Sequence, residues 1–241
     1  MTWKGILGAA LLGGLALVTD QSNGIEVQYA GALRNIMHGN DISAKADLGD
    51  FAEMPNFYAL GALENLKGEI LILDSKPYLA TTVDDEIAIN QNFDAKATLL
   101  VYSQVKAWKS IEIPDGIESI SELETFLIES AEEQGLDPET PFPFLIEGQA
   151  ESLQYHVINW PEGDTEHNHK KHQTSGPHGT LENLEVEILG FHSTKHSGIY
   201  THHSSNVHLH FKNMEANYSG HVDQLSLKAG MVLKLPVEVD Y

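Results

Sequence analysis

The sequence predicts an α+β fold dominated by mixed or antiparallel β-sheet, with few helices and two intergrown halves. Three observations indicate this fold. Short apolar segments bounded by turn residues recur along the chain, as in sheet proteins, and only one segment has strong helical periodicity. No internal repeat, low-complexity tract or obvious linker divides the 241 residues, a length that suits one large domain or two small ones wound together.

The first 24 residues are predicted to be a signal peptide. Lys4 gives the chain a short positive start, and residues 6–18 form an uncharged run that is too short to span a membrane and suits a signal-peptide core. We therefore expect residues 25–241 to form the mature domain, exported to the periplasm or secreted and without a membrane partner. If the segment is instead a buried N-terminal helix that is not cleaved, the protein is cytoplasmic.

The first half of the domain is predicted to contain short strands joined by turns. Residues 24–58 mix apolar residues with turn signals and indicate short elements. Residues 69–73 form a strongly apolar strand, residues 74–76 a polar turn, and Pro77 begins the return strand of a hairpin. A further pair of strands is expected within residues 97–113.

One helix is expected at residues 121–133. Ser121 and Glu124 have the spacing of a capping box, and Gly135 and Pro138 are expected to end the helix. Its apolar residues recur at helical spacing and predict a buried face: Leu123, Phe126, Leu127 and Ala131.

The second half of the domain is predicted to be mostly strand. Leu184, Val186 and Ile188 alternate with glutamates, as expected for a strand with one buried face. Further apolar strands are expected at residues 144–146, 153–160, 207–211, 221–227 and 232–235.

Composition limits the partners and the chemistry. The formal charge of −21, from 35 acidic against 14 basic residues, argues against nucleic acid and anionic membranes, which would repel the chain. The chain has no cysteine, so any metal ion must be held by histidine and carboxylate. Arg34 is the only arginine, so almost no position offers a bidentate guanidinium to a carboxylate or phosphate.

Three histidines have the spacing of metal ligands. His208 and His210 lie on alternate residues, so on a strand they point to the same face, and a hairpin can bring His221 to them. Three ligands leave an open position, as catalytic zinc sites require. The alternative is that these are hydrogen-bonded strand residues without a metal.

Other polar residues allow alternative interpretations. Residues 163–180 form a polar segment with four histidines, which predicts a solvated surface loop, a second metal site or a lid. Of the adjacent His202 and His203, at most one can point to the site if they lie on a strand. Glu69 follows Gly68 at the start of an apolar strand, either as a strand-end acid facing water or as a buried acid beside a partner or metal.

These motifs together resemble the α-acetolactate decarboxylase family. Residues 207–211 and the Gly220-His221-Val222 segment resemble its His-x-His-Phe and Gly-Gly-His-Val motifs, with Ser219 at the first glycine. Residues 60–69 resemble its Gly-Thr-x-Asn-x-Leu-Asp-Gly-Glu segment and align Glu69 with its active-site glutamate. Residues 189–191 fit the strand before the histidine pair, and the similarity runs from about residue 25 to 236.

The resemblance implies a chemistry and a set of roles. Family members convert 2-acetolactate to acetoin and CO2, with zinc held by three histidines, here His208, His210 and His221. Glu69 would handle the proton or orient the substrate. The family's arginine beside the metal aligns with His156, which can carry a proton but cannot form a bidentate clamp. No residue matches the family's second glutamate, from its C-terminal tail.

We therefore expect a zinc-dependent carboxy-lyase acting on a small 2-hydroxy-3-keto acid, with Glu69 and His156 as catalytic residues, and a homodimer as the assembly. Two alternatives stay open. One is an exported metal-binding protein on the same scaffold without acetolactate turnover. The other is a cupin-like metal enzyme, because Glu215 follows His208 and His210 as in the first cupin motif, although the second motif is absent.

Overall fold

The computed structural model describes residues 25–237, and the predicted α+β fold dominated by sheet is confirmed. The signal peptide predicted at residues 1–24 lies outside the described residues. The strands are β1 (Gln28–Ala30), β2 (Ala46–Asp47), β3 (Phe57–Leu63), β4 (Glu69–Leu73), β5 (Lys76–Val83), β6 (Glu86–Asn90), β7 (Lys96–Gln104), β8 (Trp108–Glu112), β9 (Phe142–His156), β10 (His178–His192), β11 (Val207–Asn213), β12 (Ser219–Leu227) and β13 (Val232–Pro236). The α-helices are α1 (Leu33–Gly39), α2 (Ile120–Glu133) and α3 (His169–Thr174).

The first sheet has the strand order β1-β7-β3-β4-β5-β6, and β2 also pairs with β7. Each pairing in it is antiparallel. The predicted hairpin is confirmed: β4 has the expected bounds, and Asp74 and Ser75 form the turn with φ of 46° and 62°. Positive φ at two successive residues is the geometry of a tight hairpin turn, which asparagine, aspartate and glycine favour.

The second sheet has the order β10-β11-β12-β9-β13-β8, and β10 also pairs with β9. That extra pairing closes β9, β12, β11 and β10 into a ring. One face of the ring packs on α2, through a cluster that includes Leu127, Leu209 and Phe211. The opposite face packs on the first sheet.

Two expectations about strands are corrected. The strands expected within residues 97–113 exist as β7 and β8, but they belong to different sheets, because β7 pairs with β3 and β8 pairs with β13. The strands expected at 144–146 and 153–160 are one strand, β9, which ends at His156. It is continuous because β10 pairs along nearly its whole length.

Helix α2 is close to the expected helix, but its cap is two residues earlier. Ser119 is the N-cap: its hydroxyl accepts from the Glu122 N–H at 3.3 Å and donates to the Glu122 carboxylate at 2.8 Å. The prediction of Ser121 and Glu124 was wrong because the same Ser-x-x-Glu spacing occurs twice, offset by two residues. Glu124 instead contacts the segment before β11.

A shared core joins the two sheets. It contains Leu60 and Leu99 from the first sheet and Leu189 and Phe191 from the second. These residues are at most 4% exposed, so the two halves have a common interior. Within residues 25–237, no helix has the length and apolar character needed to cross a membrane.

Candidate metal centre

His208, His210 and His221 converge on the face of the second sheet that packs against the first. His208 and His210 are alternate residues of β11, and His210 lies opposite His221 of β12 in the antiparallel register. Directly opposed residues of neighbouring strands project to the same face. The predicted grouping of the three side chains is therefore present in the structure.

The separations of the ring nitrogens suit a tetrahedral metal ion. Nε2 of His210 lies 3.2 Å from Nε2 of His208 and 3.3 Å from Nδ1 of His221. Zinc–nitrogen bonds of about 2.0–2.1 Å at tetrahedral angles place two ligand nitrogens about 3.3 Å apart. The three histidines offer ligand atoms that all lie within 4.8 Å of one another, so the residues present fit a zinc ion.

Burial keeps these imidazoles in the neutral form that binds metal. Burial lowers the pKa of His208 to about 4, with the backbone of Tyr200 opposing the shift. It also lowers the pKa of His210 and His221 well below the usual range, assisted by the neighbouring histidines. A metal ion therefore does not have to displace protons from these rings at neutral pH.

Glu69 reaches the histidines from the other sheet. It is the first residue of β4 and is 5% exposed. Its Oε2 lies 3.7 Å from Nε2 of His210, and its Oε1 accepts a hydrogen bond from the Ile158 N–H at 3.1 Å. The sequence allowed Glu69 to be either a strand-end acid facing water or a buried acid beside a partner. In the structure it is a buried acid beside the histidines.

Two features explain the position and the protonation of Glu69. Gly68 has a φ of 149°, and a side chain there would collide with the carbonyl oxygen of Ala80, so the close turn into β4 requires glycine. Burial raises the pKa of Glu69 to about 7, although His156 and the Ile158 N–H oppose the shift. The carboxyl group can therefore exchange a proton near neutral pH.

His156 completes the row of imidazoles. It is the last residue of β9, lies opposite His221 in the register, and has a ring centroid 4.8 Å from that of His221. Its Nε2 lies 3.8 Å from Oε1 of Glu69, and its Nδ1 lies 2.8 Å from Oδ2 of Asp223. Burial lowers its pKa, but the hydrogen bond to Asp223 and the charge of Glu69 outweigh that effect and raise it.

Asp223 was not identified from the sequence. It lies at an irregularity of β12, where the register with β9 shifts between Val222 and Gln224. Such a bulge leaves one residue without a cross-strand partner and re-aims its side chain. The signal in the sequence is its position two residues after His221, which on a regular strand is the same face.

Gly220 allows β12 to approach β9 closely. A Cβ atom on this residue would lie 2.6 Å from the carbonyl oxygen of His156. Gly220 lies inside β12, and the turn that precedes this strand is at residues 213–218. Its role is to bring His221 beside His156.

A cavity of about 480 Å³ opens beside these residues. His208, His221 and Glu69 line its inner part, and Leu33 and Arg34 of α1 also line it. The volume is within the range of small-molecule sites, about 300–1,000 Å³. Arg34 is the chain's only arginine, and its position in the cavity of the histidines was not predicted from the sequence.

The histidine-rich segment 163–180 combines an exposed loop with regular structure, α3 and the start of β10. It contains α3, and His169, His172 and Gln173 line the cavity. His178 is exposed and begins β10. The expectation for His202 and His203 is also corrected: both line the cavity, because they lie before β11 in a turn rather than on a strand.

Glu215, on which the cupin alternative depended, lies away from the histidines. It is exposed, and its carboxylate accepts a hydrogen bond from the Asn213 side chain at 2.9 Å. Among residues 25–237, the group that could hold a metal contains histidines alone. The cupin-like arrangement is therefore not formed.

Three solved structures resemble this chain, each with a TM-score of 0.69. A Staphylococcus aureus protein of unknown function, similar to alpha-acetolactate decarboxylase, is 19% identical, with 86% of this chain and 83% of that chain covered. Alpha-acetolactate decarboxylase from Bacillus subtilis strain 168 is 17% identical, with 87% and 85% covered. Acetolactate decarboxylase from Bacillus subtilis subspecies spizizenii is 17% identical, with 88% and 85% covered.

At these identities the structures establish the fold alone. No curated protein sequence matches the chain. The sequence profile described as alpha-acetolactate decarboxylase matches residues 30–237, which is most of the described domain. The chain therefore belongs to the alpha-acetolactate decarboxylase family.

Proposed function

We propose that this protein is a zinc-dependent carboxy-lyase that converts 2-acetolactate, a 2-hydroxy-3-keto acid, to acetoin and CO2. The observation that carries the proposal is the approach of Glu69, from one sheet, to within 3.7 Å of the ligand nitrogen of His210 on the other. Burial raises the pKa of Glu69 to about 7 in the metal-free site, and a bound cation would lower it again. A buried carboxyl group in this position suits a proton transfer next to a metal. Family membership supports the reaction class.

His208, His210 and His221 would hold the zinc ion. When bound, zinc supplies a Lewis acid that stabilises negative charge on the oxygens of the substrate. Their backbone lies in two paired strands, so little reorganisation is needed to keep the three nitrogens together. Packing against the first sheet excludes water from their buried side.

Glu69 would deliver the proton that completes the product. Loss of CO2 leaves an electron pair on the carbon next to the ketone, and this carbon must gain a proton to give acetoin. The Ile158 N–H holds Oε1 at 3.1 Å, which leaves Oε2 on the side of the histidines. A carboxyl group that exchanges its proton near neutral pH can donate to carbon and be recharged from solvent.

His156 would act as a second proton-holding group. Asp223 orients its ring through Nδ1 and favours the protonated form, so that Nε2 faces Glu69. This arrangement provides one positive charge near the carboxylate, in place of the family's arginine. It cannot provide the two parallel hydrogen bonds of a guanidinium.

The zinc site is tested by the metal content of the purified protein. We expect about one zinc ion per chain and loss of that ion in His208→Ala. His178→Ala is a matched control because His178 is exposed and does not line the cavity, and it keeps the metal. Full zinc occupancy in His208→Ala would contradict the site assignment.

The reaction is tested by measuring acetoin formed from racemic acetolactate. We expect turnover by the wild type and a loss of about 10²- to 10⁴-fold in Glu69→Gln, the usual contribution of a general acid. Glu86→Gln, at an exposed position of β6, should retain full activity. A zinc-loaded wild type without turnover would defeat the lyase proposal.

The second candidate is an exported metal-binding protein without acetolactate turnover. The observation that favours it is that His156 stands at the position of the family's arginine, while Arg34 lines the cavity from an exposed position on α1. Zinc occupancy without acetoin production would support it.

Export is a proposal from residues 1–24, and the N-terminal sequence of the mature protein tests it. The homodimer is also a proposal, and light scattering tests it.

A further inference from the structure

A second group of imidazoles lies in the cavity, apart from His208, His210 and His221. It consists of His169, the first residue of α3, with His202 and His203 in the turn before β11. The ring centroids of His169 and His202 are 5.0 Å apart, and those of His202 and His203 are 4.6 Å apart. All three line the same cavity. We call them the rim histidines.

The rim histidines have ring nitrogens that are free to bind. Nδ1 of His202 lies 2.8 Å from the Ser204 hydroxyl, which leaves its Nε2 for another partner. Metal-binding histidines commonly have their second nitrogen held in this way, since the contact fixes the ring. Within residues 25–237, the side chains of His169 and His203 make no hydrogen bond, and both residues are exposed.

The backbone beneath the turn is fixed by α2. Glu124 accepts hydrogen bonds through Oε1 from the Ser205 hydroxyl at 2.6 Å and from the Asn206 N–H at 3.0 Å. This anchors the chain that follows His202 and His203 to α2, through residues 205 and 206. The role of Glu124 is therefore to anchor the turn rather than to cap the helix.

The segment that carries His169 is fixed from the other side. His167 stacks on Trp160 with centroids 4.3 Å apart, and its Nε2 lies 2.7 Å from Oδ1 of Asn40 at the end of α1. Asn168 caps α3 by accepting from the Lys171 N–H at 2.9 Å. His169 is thus held beside His202, with the two ring centroids 5.0 Å apart.

We propose that His169, His202 and His203 form a second, weaker site for a divalent transition-metal ion of the zinc class. Imidazole suits zinc, copper and nickel. Among the described residues, only His208, His210 and His221 have ligand atoms all within 4.8 Å, so the rim histidines must reorient to bind. That cost and their exposure make the second site the weaker one. The proposal goes beyond the lyase function, since it does not depend on any reaction.

The experiment is a zinc titration of the metal-free full chain by calorimetry and equilibrium dialysis. The wild type is expected to bind zinc in two classes, about one ion in each. His202→Ala/His203→Ala keeps the tight class and loses the weak one. His169→Gln, a single change at an exposed position, weakens the weak class at least tenfold. His210→Ala loses the tight class and keeps the weak one, which separates this proposal from the zinc lyase.

His178→Ala is the control for adventitious binding by exposed histidines, and it keeps both classes. The proposal is overturned by a single class in the wild type, by a weak class that survives in His202→Ala/His203→Ala, or by equal loss in His178→Ala. Circular dichroism shows whether each variant is folded. If the double variant does not fold, His169→Gln decides: unchanged weak binding there also overturns the proposal.

Discussion

The Nδ1 atom of His156 lies 2.8 Å from Oδ2 of Asp223, and the other oxygen of that carboxylate accepts from the Gln173 side chain at 2.8 Å. The carboxylate of Asp223 therefore links His156, the imidazole beside Glu69, to Gln173 of α3, which lines the cavity. The negative charge of Asp223 favours protonated His156. Removing that charge therefore changes the protonation of His156 without altering His208, His210 or His221.

Asp223→Asn is expected to lower acetoin turnover about 10- to 100-fold, in the range found for partners that orient a site residue. The pKa of His156 should fall, because the charge that raises it is lost. Activity that needs protonated His156 would then decline at a lower pH than in the wild type. Gln173→Ala keeps the charge of Asp223 and should cause a smaller loss without this shift. An unchanged pH profile in Asp223→Asn would refute the role of Asp223.

Glu69→Gln is expected to stabilise the metal-free protein at pH 8 and to have little effect near pH 4. The pKa of Glu69 rises from the usual 4.5 to about 7 on folding, so the folded state binds more protons and stability falls as pH rises through this interval. At about 1.4 kcal/mol per unit of pKa difference, the rise from 4.5 to about 7 costs at most about 3.5 kcal/mol. Urea unfolding at several pH values measures it, and a pH-independent difference would contradict the explanation.

Gly220→Ala is expected to destabilise the protein by about 1–3 kcal/mol, the usual cost of forcing an extra group into a packed interior. The new methyl group would lie 2.6 Å from the His156 carbonyl oxygen and push β12 away from β9. Zinc affinity should also fall because His221 moves with β12. Gly179→Ala is the control, since its methyl group meets only the Tyr155 ring at 3.8 Å. Equal melting temperatures and zinc affinities for the two variants would argue against close packing at Gly220.

Ser119→Ala is expected to cost about 1 kcal/mol of stability, as for other N-cap replacements. Its hydroxyl satisfies the Glu122 N–H at the start of α2. Ser121→Ala tests the alternative cap, and we expect it to be close to neutral because Ser121 is exposed within the helix. Chemical denaturation of both variants measures the difference, and a larger loss in Ser121→Ala would reverse the cap assignment.

Local patterns predicted the parts of the fold that depend on local physics. The apolar run of β4, the turn at Asp74 and Ser75, and the helical spacing of α2 each appear where the sequence placed them. The grouping of His208, His210 and His221 followed from strand periodicity. These features need only near neighbours, which a sequence pattern records directly.

The features that the sequence did not predict depend on distant contacts. The separation of β7 and β8 into different sheets depends on pairing with β3 and β13. The position of Asp223 depends on an irregular register, and that of Arg34 on where α1 packs. Ser119 and Ser121 are each followed three residues later by a glutamate, so the sequence pattern could not distinguish them as helix caps. The conformation of the chain before α2 decided which serine is the N-cap.

The three histidines belong to one sheet and Glu69 to the other, so each half of the chain contributes a different part of the centre. Glu69 can therefore be changed without altering any of the three histidines. Under the proposed lyase function, a change at Glu69 alone would end proton delivery, and the three histidines that would hold the metal would stay in place.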